Sequence, residues 1–347
     1  MQPPPRIPPP AQSKSPAPRR WIWPRVFVYG FLLGFICLNF LAYFHGKTMS
    51  RYANVAKRTK SPEKLSPLNK AQVLLNGVTL PRPTNHRSPA DYGMPFETVH
   101  LNGAFGVKIQ AWQMEQSGGH GTIVMFHGHG AAKDSLLPAA EIFYKLGWNC
   151  ALVDFHGSGG SGTNVTSIGW HEADDVISAV KYLAPEYMPE PRILYGASMG
   201  GAAILRALHI GNLDPDGVIL ELPYDRLINA ARQRFAAMRI PSWPAADLLV
   251  LYGGMHGGFD AFAMNPMEFA KSVHCPTLLM NGEIDRRAPP KQALAVFDNL
   301  AGPKIHKQFR GLGHRNFSRH DPEEWKATVS SFLDAVRNGA LDGSRQP

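Results

Sequence analysis

From residue 95 onward, short apolar segments alternate with longer amphipathic segments along the chain. The apolar segments are four to six residues long and predict β-strands at 122–126, 149–154, 192–195, 218–222, 277–281 and 304–309. Apolar residues at helical spacing predict helices near 136–146, 171–184, 201–210, 289–300 and 322–338. Apolar strands separated by helices are typical of a mostly parallel sheet flanked by helices on both faces. In such α/β domains the catalytic groups lie in loops at the carboxyl ends of the strands.

The loop after the predicted strand at 192–195 reads Gly-Ala-Ser-Met-Gly, residues 196–200. A serine in a Gly-x-Ser-x-Gly turn between a strand and a helix is held in a strained conformation, and the glycines keep Cβ atoms away from the crowded backbone. This context indicates Ser198 as a nucleophile at the amino end of a helix. In an ordinary turn, the same serine would only cap the helix.

A serine nucleophile needs a general base, and the base needs an acid that orients it. In hydrolases with this turn, the acid and the histidine follow the serine in that order. Asp285 and His314 each follow one of the last two predicted strands. We expect His314 to act as the base and Asp285 as its orienting acid. Glu283 and Glu221 remain alternative acids, because both lie near the carboxyl end of a predicted strand.

The predicted strand at 122–126 is followed by His-Gly-His-Gly at 127–130. A glycine-rich turn at this place exposes backbone N–H groups, as does the residue after the nucleophile. We expect the amides of His129 and Met199 to form an oxyanion hole for the tetrahedral intermediate. The two histidines could instead begin a His-x-His-x-Asp-His metal site, but glycine and two alanines follow at 130–132, so the other ligands are missing. We expect neither a metal nor a cofactor.

The N-terminal 64 residues differ from the rest of the chain in charge. They hold 11 basic residues and one acidic residue, whereas residues 65–347 hold 25 basic and 26 acidic residues. The net charge of +9 therefore comes from the N-terminus, and we do not expect the folded part to carry the basic groove of a nucleic-acid-binding protein. Nine prolines among the first 24 residues predict a disordered, Pro-rich tail over 1–25.

Residues 26–44 form an apolar run without a charged residue. A helix of this length spans about 28 Å, close to the ~30 Å hydrocarbon core of a bilayer. A cleavable signal peptide would have a shorter apolar region and a small-residue cleavage site, and a buried core helix would show a polar face. We predict an uncleaved transmembrane anchor at 26–44 and a basic linker at 45–94. Five basic residues precede the run and six follow it within twenty residues, so the side of the membrane is not indicated.

We assign the catalytic domain to residues 95–338, followed by a C-terminal tail at 339–347. The domain begins with alternating segments that predict an antiparallel hairpin. Residues 223–275 form an insertion after the strand at 218–222, and this insertion is rich in Met, Phe and Trp. We expect a short helical lid with a small core of its own. Its apolar side chains also suit a wall that binds an acyl chain over Ser198.

These motifs resemble those of the α/β-hydrolase superfamily over residues 95–338. The similarity is carried by residues 127–130, 154–162, 196–200, 275–285 and 311–314. The branch with the greatest likeness comprises membrane-anchored α/β-hydrolase-domain lipases, monoglyceride lipases and serine-aminopeptidase-like enzymes. Its members usually carry Asp-x-Arg-Gly-x-Gly in the second of these segments. Here His156 replaces the arginine, a common structural anchor, so we expect local packing to differ.

The motifs and the resemblance predict a membrane-anchored serine hydrolase that cleaves carboxylic esters, including lipid or acyl esters, through an acyl-enzyme. A peptidase or amidase with the same triad remains an alternative, because the serine motif does not separate the two reactions. A membrane scaffold that keeps the fold without catalysis is a second alternative. The expected partners are a small-molecule or lipid ester and the membrane, and no nucleic acid. The sequence does not indicate an oligomeric state.

Overall fold

The computed structural model describes residue 2 and residues 22–55, 58–60, 65–182 and 191–341. The predicted tail at 1–25 and the end of the predicted C-terminal tail at 339–347 lie mostly outside these residues. The chain divides into two units, Met1–Phe40 and Leu41–Pro347. The second unit contains the whole sheet and the motifs at 127–130, 154–162, 196–200, 275–285 and 311–314.

Helix α1 (Ile22–Met49) contains the predicted membrane anchor. Its Trp23–Met49 segment has a mean hydropathy of 2.0 and is long and apolar enough to cross a membrane. Large apolar side chains such as Phe27, Tyr29 and Phe31 are exposed along it. An apolar helix that buries so few of its side chains within the protein suits lipid contact.

The core of the second unit is an eight-stranded sheet. Its strands are β1 (Glu97–Asn102), β2 (Lys108–Met114), β3 (Thr122–Phe126), β4 (Asn149–Val153), β5 (Arg192–Ala197), β6 (Gly217–Glu221), β7 (Thr277–Gly282) and β8 (Lys304–Phe309). They lie in the order β1-β2-β4-β3-β5-β6-β7-β8. Strand β2 pairs antiparallel with β1 and β4, and all other pairs are parallel. The predicted fold class, a mostly parallel sheet flanked by helices, is therefore confirmed.

Helices cover both faces of the sheet. The remaining helices are α2 (Pro67–Asn76), α3 (Leu137–Lys145), α4 (Glu172–Tyr182), α5 (Met199–Ile210), α6 (Leu227–Met238), α7 (Ala245–Gly257), α8 (Pro266–Phe269), α9 (Pro290–Asn299), α10 (Phe317–His320) and α11 (Pro322–Arg337). Helices α4, α5 and α9 contribute to one buried apolar cluster, and α3 and α11 to the other. Because both faces are covered, β3, β4, β6 and β7 consist of buried residues, and β5 is buried except at its two ends.

Helices α6 to α8 lie in the insertion at 223–275, for which a helical lid is predicted. Phe235 of α6 and Met264, which follows α7, are buried in the same apolar cluster as α5. Trp243 and Met255 are instead largely exposed. The apolar residues of the insertion thus divide into a group that packs on the domain and a group on its surface.

Parts of the predicted linker at 45–94 contact the domain predicted at 95–338. The buried Tyr52 accepts a hydrogen bond through its hydroxyl from the Gly130 amide at 3.2 Å. The Asn85 side-chain amide donates to Asp154 Oδ2 at 2.8 Å, and Asp154 forms a buried ion pair with Lys133. These contacts attach the segment to the loops that follow β3 and β4.

His156, which stands where the Asp-x-Arg-Gly-x-Gly pattern has arginine, lies in a buried polar cluster. Its Nδ1 lies 2.6 Å from Asp175 Oδ2, and its Nε2 lies 4.0 Å from Glu172 Oε1. Burial alone would lower the pKa of the imidazole. The hydrogen bond with Asp175 and the charges of Glu172, Asp175 and Asp174 instead raise this pKa to about 9. A histidine cation therefore takes the place of the guanidinium.

The His156 cluster predicts a loss of stability at alkaline pH. A group with a raised folded-state pKa contributes stability that is complete below its ordinary pKa and is lost as pH rises through the folded value. We expect the melting temperature of the detergent-solubilised protein to fall between pH 6.5 and about 9, the ordinary and folded pKa values of His156. A His156→Asn variant should melt lower at neutral pH and lose less over this interval. An equal slope in both proteins would contradict the assignment.

Candidate active site

Ser198 lies in a tight turn between β5 and α5. Its backbone is strained, with φ 52° and ψ −109°. A Cβ atom on Gly196 would lie 2.5 Å from the Gly201 nitrogen, and one on Gly200 would lie 2.3 Å from the Phe126 carbonyl oxygen. Both contacts are with backbone, which cannot yield, so these positions require glycine. The turn presents Ser198 at the carboxyl edge of the sheet, as the motif predicts.

His314 lies beside Ser198, in the loop between β8 and α10. Its Nε2 lies 3.2 Å from Ser198 Oγ, and its Nδ1 lies 2.7 Å from Asp285 Oδ2. If the Nδ1 proton is donated to Asp285, Nε2 is left to accept the serine proton. The two residues come from the loops after β8 and β7, 116 and 87 positions along the chain from the serine. The fold thus brings three distant residues into one hydrogen-bonded chain.

Asp285 is held by its own loop as well as by His314. Its side chain is buried, and Oδ1 accepts hydrogen bonds from the amides of Arg287 at 2.7 Å and Ala288 at 3.0 Å. These bonds leave Oδ2 directed at the histidine. A carboxylate with four acceptor positions can satisfy all three donors at once.

The two alternative acids are engaged elsewhere. The Glu221 carboxylate is buried and accepts hydrogen bonds from the Tyr195 hydroxyl at 2.7 Å, the Trp325 indole at 3.0 Å and the Phe317 amide at 3.1 Å. Burial raises the pKa of Glu221. Glu283 accepts a hydrogen bond from the Gly311 amide at 2.8 Å. The two carboxylates accept hydrogen bonds from amides on either side of His314, at Gly311 and Phe317. The contact with His314 itself favours Asp285 as the acid.

The loop at 127–130 packs directly against the nucleophile turn. A Cβ atom on Gly128 would lie 3.3 Å from the Ala197 carbonyl oxygen and 3.5 Å from Ser198 Cβ. The buried His127 accepts a hydrogen bond from the Phe155 amide at Nε2, 3.2 Å away, and its Nδ1 lies 2.9 Å from the Gly128 carbonyl oxygen. Both ring nitrogens of His127 are therefore used to shape this loop.

The side chain of His129, in this loop, packs near the ring of Tyr52. The two rings lie 5.9 Å apart, and the pKa of His129 is lowered to about 3 by burial, with smaller effects from Arg234 and Arg58. Burial raises the pKa of Tyr52 to about 12, so its hydroxyl stays neutral beside Gly130. The guanidinium of Arg58 donates to the Gly130 carbonyl at 3.3 Å. No sequence pattern indicated Tyr52 or Arg58, because both lie in the segment predicted as a linker.

Comparison with known proteins finds similar sequences over most of the second unit. A family model described as serine aminopeptidase, S33, matches residues 119–251. The protein YqkD of Bacillus subtilis is 26% identical over 68% of this chain and 78% of its own length. The acylamino-acid-releasing enzyme of Rattus norvegicus is 25% identical over 60% of this chain, but the match covers only 30% of the enzyme.

A solved structure supports the fold independently. The esterase Pf2001 of Pyrococcus furiosus superposes with a TM-score of 0.61 and 22% identity, over 73% of this chain and 96% of the esterase. At this identity the likeness shows the fold alone. Together with the strand order, it shows that the chain adopts the α/β-hydrolase fold, and over residues 119–251 the chain is similar to the serine aminopeptidase family.

Proposed function

We propose that this protein is a membrane-anchored serine hydrolase that cleaves carboxylic esters through an acyl-enzyme on Ser198. The observation that carries the proposal is the hydrogen-bonded chain from Ser198 Oγ through His314 to Asp285, with distances of 3.2 and 2.7 Å. Such a chain at the end of a strained strand–helix turn is the arrangement that activates a serine hydroxyl. A scaffold without catalysis would have no need for this strained turn.

In the first step, Ser198 Oγ attacks the ester carbonyl carbon while His314 Nε2 takes the hydroxyl proton. The carbonyl oxygen becomes an oxyanion, and the buried carboxylate of Asp285 stabilises the imidazolium. The tetrahedral intermediate collapses, the ester C–O bond breaks, and His314 returns the proton to the leaving alcohol. Water then attacks the acyl-enzyme with His314 as base, which releases the acid and regenerates the serine.

The amides of His129 and Met199 are our candidates for the oxyanion hole. Met199 is the first residue of α5, where backbone amides have no intrahelical acceptor. Within the described parts of the chain, neither amide donates a hydrogen bond to another protein group. The contact at Gly128 places the loop that carries the first amide against the turn that precedes the second. Two free donors beside Ser198 suit a developing negative charge.

An ester substrate is favoured over an amide by the surroundings of the site. Helix α1 is long and apolar enough to span a membrane, and the lid exposes large apolar side chains. Both features suit a lipid or acyl ester that reaches the enzyme from a bilayer. The match to serine aminopeptidases keeps amide hydrolysis as the second candidate.

The choice between an ester and an amide substrate is tested by the turnover of matched chromogenic substrates. We expect the full-length protein in detergent to hydrolyse p-nitrophenyl esters of medium-chain acids at least about 100-fold faster than the p-nitroanilides of the same acids, and faster than amino-acid p-nitroanilides. Faster cleavage of the amides would assign a peptidase or amidase. Absence of both turnover and fluorophosphonate labelling in a folded sample would support a scaffold.

A further inference from the structure

The end of helix α1 packs on the lid helix α7. The Tyr43 ring lies 4.5 Å from the His256 ring and 5.6 Å from the Tyr252 ring. His256 Nε2 also lies 3.1 Å from the Tyr43 carbonyl oxygen. Ala42, one residue earlier, is buried. The last two turns of α1 and the second half of α7 therefore form a helix pair.

The two helices approach each other so closely that position 46 requires glycine. A Cβ atom on Gly46 would lie 2.8 Å from the Gly253 nitrogen and 2.9 Å from the Tyr252 carbonyl carbon. Since both are backbone atoms, a larger residue at 46 would push the helices apart. A Cβ atom on Gly253 would meet no heavy atom within 4 Å. The two glycines therefore supply a matched pair of test positions.

The side of α7 next to this contact is apolar and exposed. Leu251 and Met255 lie one turn apart, about 100° around the helix from the residues that contact α1. They are 44% and 64% exposed, and Trp243 before the helix is 77% exposed. The one acidic residue of α7, Asp247, pairs with Arg232 at 2.9 Å. A water-facing helix would normally place charged side chains on this side.

A second segment extends the same apolar surface. Phe105, at the tip of the β1–β2 hairpin, is 79% exposed with a φ of 55°. Its ring lies 4.7 Å from that of His171, which lies 5.5 Å from Phe259. Phe259 in turn lines a cavity of about 320 Å³ together with Leu251 and Met255. A bulky residue with a positive φ is uncommon in folded proteins.

We propose that Phe105, Trp243, Leu251 and Met255, here called the lid face, lie against the lipid bilayer in which α1 is anchored. The proposal rests on the membrane anchor of the proposed function and adds a second, lid-mediated contact with lipid. Lipid is the expected partner of the lid face, because α1, the helix that packs on α7, carries the apolar Trp23–Met49 segment. Substrate would then enter beside the lid directly from the membrane.

Fluorescence quenching in vesicles tests the lid face directly. The full-length protein, with Cys37 replaced by alanine, is reconstituted in phosphatidylcholine vesicles and labelled with an NBD probe at Met255→Cys. Cys150 is buried, and the parent without an added cysteine reports background labelling. Phe27→Cys on α1 is the membrane control, and Ala327→Cys on α11, against the opposite face of the sheet, is the water control.

We expect doxyl-labelled phospholipid to quench the probe at Met255→Cys and Phe27→Cys, but not at Ala327→Cys. Quenching at Phe27→Cys alone would overturn the lid face and leave the anchor intact. Quenching at neither position would remove both the anchor and the lid face. Because fluorophosphonate labelling of Ser198 is measured separately, failure of the hydrolase assignment is distinguishable from either result.

Two matched substitutions test how the lid face is positioned and used. Gly46→Ala should reduce quenching at Met255→Cys, whereas Gly253→Ala should leave it unchanged. Equal quenching in both variants would overturn the role of the helix pair.

A Leu251→Gln, Met255→Gln double variant should cleave a vesicle-embedded ester about tenfold more slowly. Its rate on a water-soluble short-chain ester should stay within about twofold. An equal loss on both substrates would contradict a membrane role.

Discussion

The Ser198→Ala variant is expected to lose ester hydrolysis by about a millionfold in kcat, down to a residual rate set by binding and the oxyanion hole. The reason is geometric: Ser198 Oγ is the oxygen that lies 3.2 Å from His314 Nε2. Without it no acyl-enzyme forms. We expect fluorophosphonate labelling to disappear and the melting temperature to change little, because the serine side chain caps no helix.

A second serine provides the control for this experiment. Ser330 lies in α11, against the face of the sheet opposite to α5. Ser330→Ala should retain both labelling and turnover. His314→Ala should lose labelling as Ser198→Ala does, because the serine then lacks its base. Labelling that survives in the Ser198→Ala variant would place the nucleophile at another residue and overturn the proposed mechanism.

Asp285→Asn is expected to lower kcat by about ten-thousandfold with an intact fold. The amides of Arg287 and Ala288 hold the position of Oδ1, so the asparagine oxygen would face them and its NH₂ would face His314. The imidazole must then accept at Nδ1 and carry its proton on Nε2. In that tautomer it cannot accept the proton of Ser198. Steady-state kinetics with a p-nitrophenyl ester, together with the melting temperature, checks this outcome.

Glu221→Gln is the matched variant at the alternative acid. Its amide NH₂ would face one or more of the donors from Tyr195, Trp325 and Phe317. We expect a loss of about 1–3 kcal/mol in the free energy of unfolding, because a buried hydrogen bond is replaced by a clash of donors. The kcat of the folded enzyme should stay within a few-fold of wild type. If Glu221→Gln abolished turnover and Asp285→Asn did not, the acid would be reassigned.

The sheet was predictable because its strands are buried on both faces. A run such as Thr122–Phe126 contains only apolar residues and one threonine, so the predicted bounds agree with β3. The predicted bounds of β8 agree as well, and those of the other four parallel strands differ by one or two residues, because hydrogen bonding rather than hydropathy decides where a strand ends. The strand order depends on contacts between segments far apart in the chain, and periodicity carries no information about these contacts.

The hydrogen-bond partners of buried polar groups were not predictable either. The pairing of His156 with Asp175 places a histidine cation where the Asp-x-Arg-Gly-x-Gly pattern has arginine. The bond from Gly130 to Tyr52 attaches a segment predicted as a linker to the proposed oxyanion loop. In both cases no sequence motif links the two residues. The fold alone brings them together.

The sequence by itself determined the fold class and the candidates for nucleophile and base, because hydropathy periodicity and the Gly-x-Ser-x-Gly turn are local properties of the chain. The choice of acid among three carboxylates, and the packing of Gly46 on the lid helix, depended on the tertiary structure. The physical reason is that hydrogen bonding and close packing act over a few ångströms in space. Only the folded chain brings residues 198, 285 and 314 within that range.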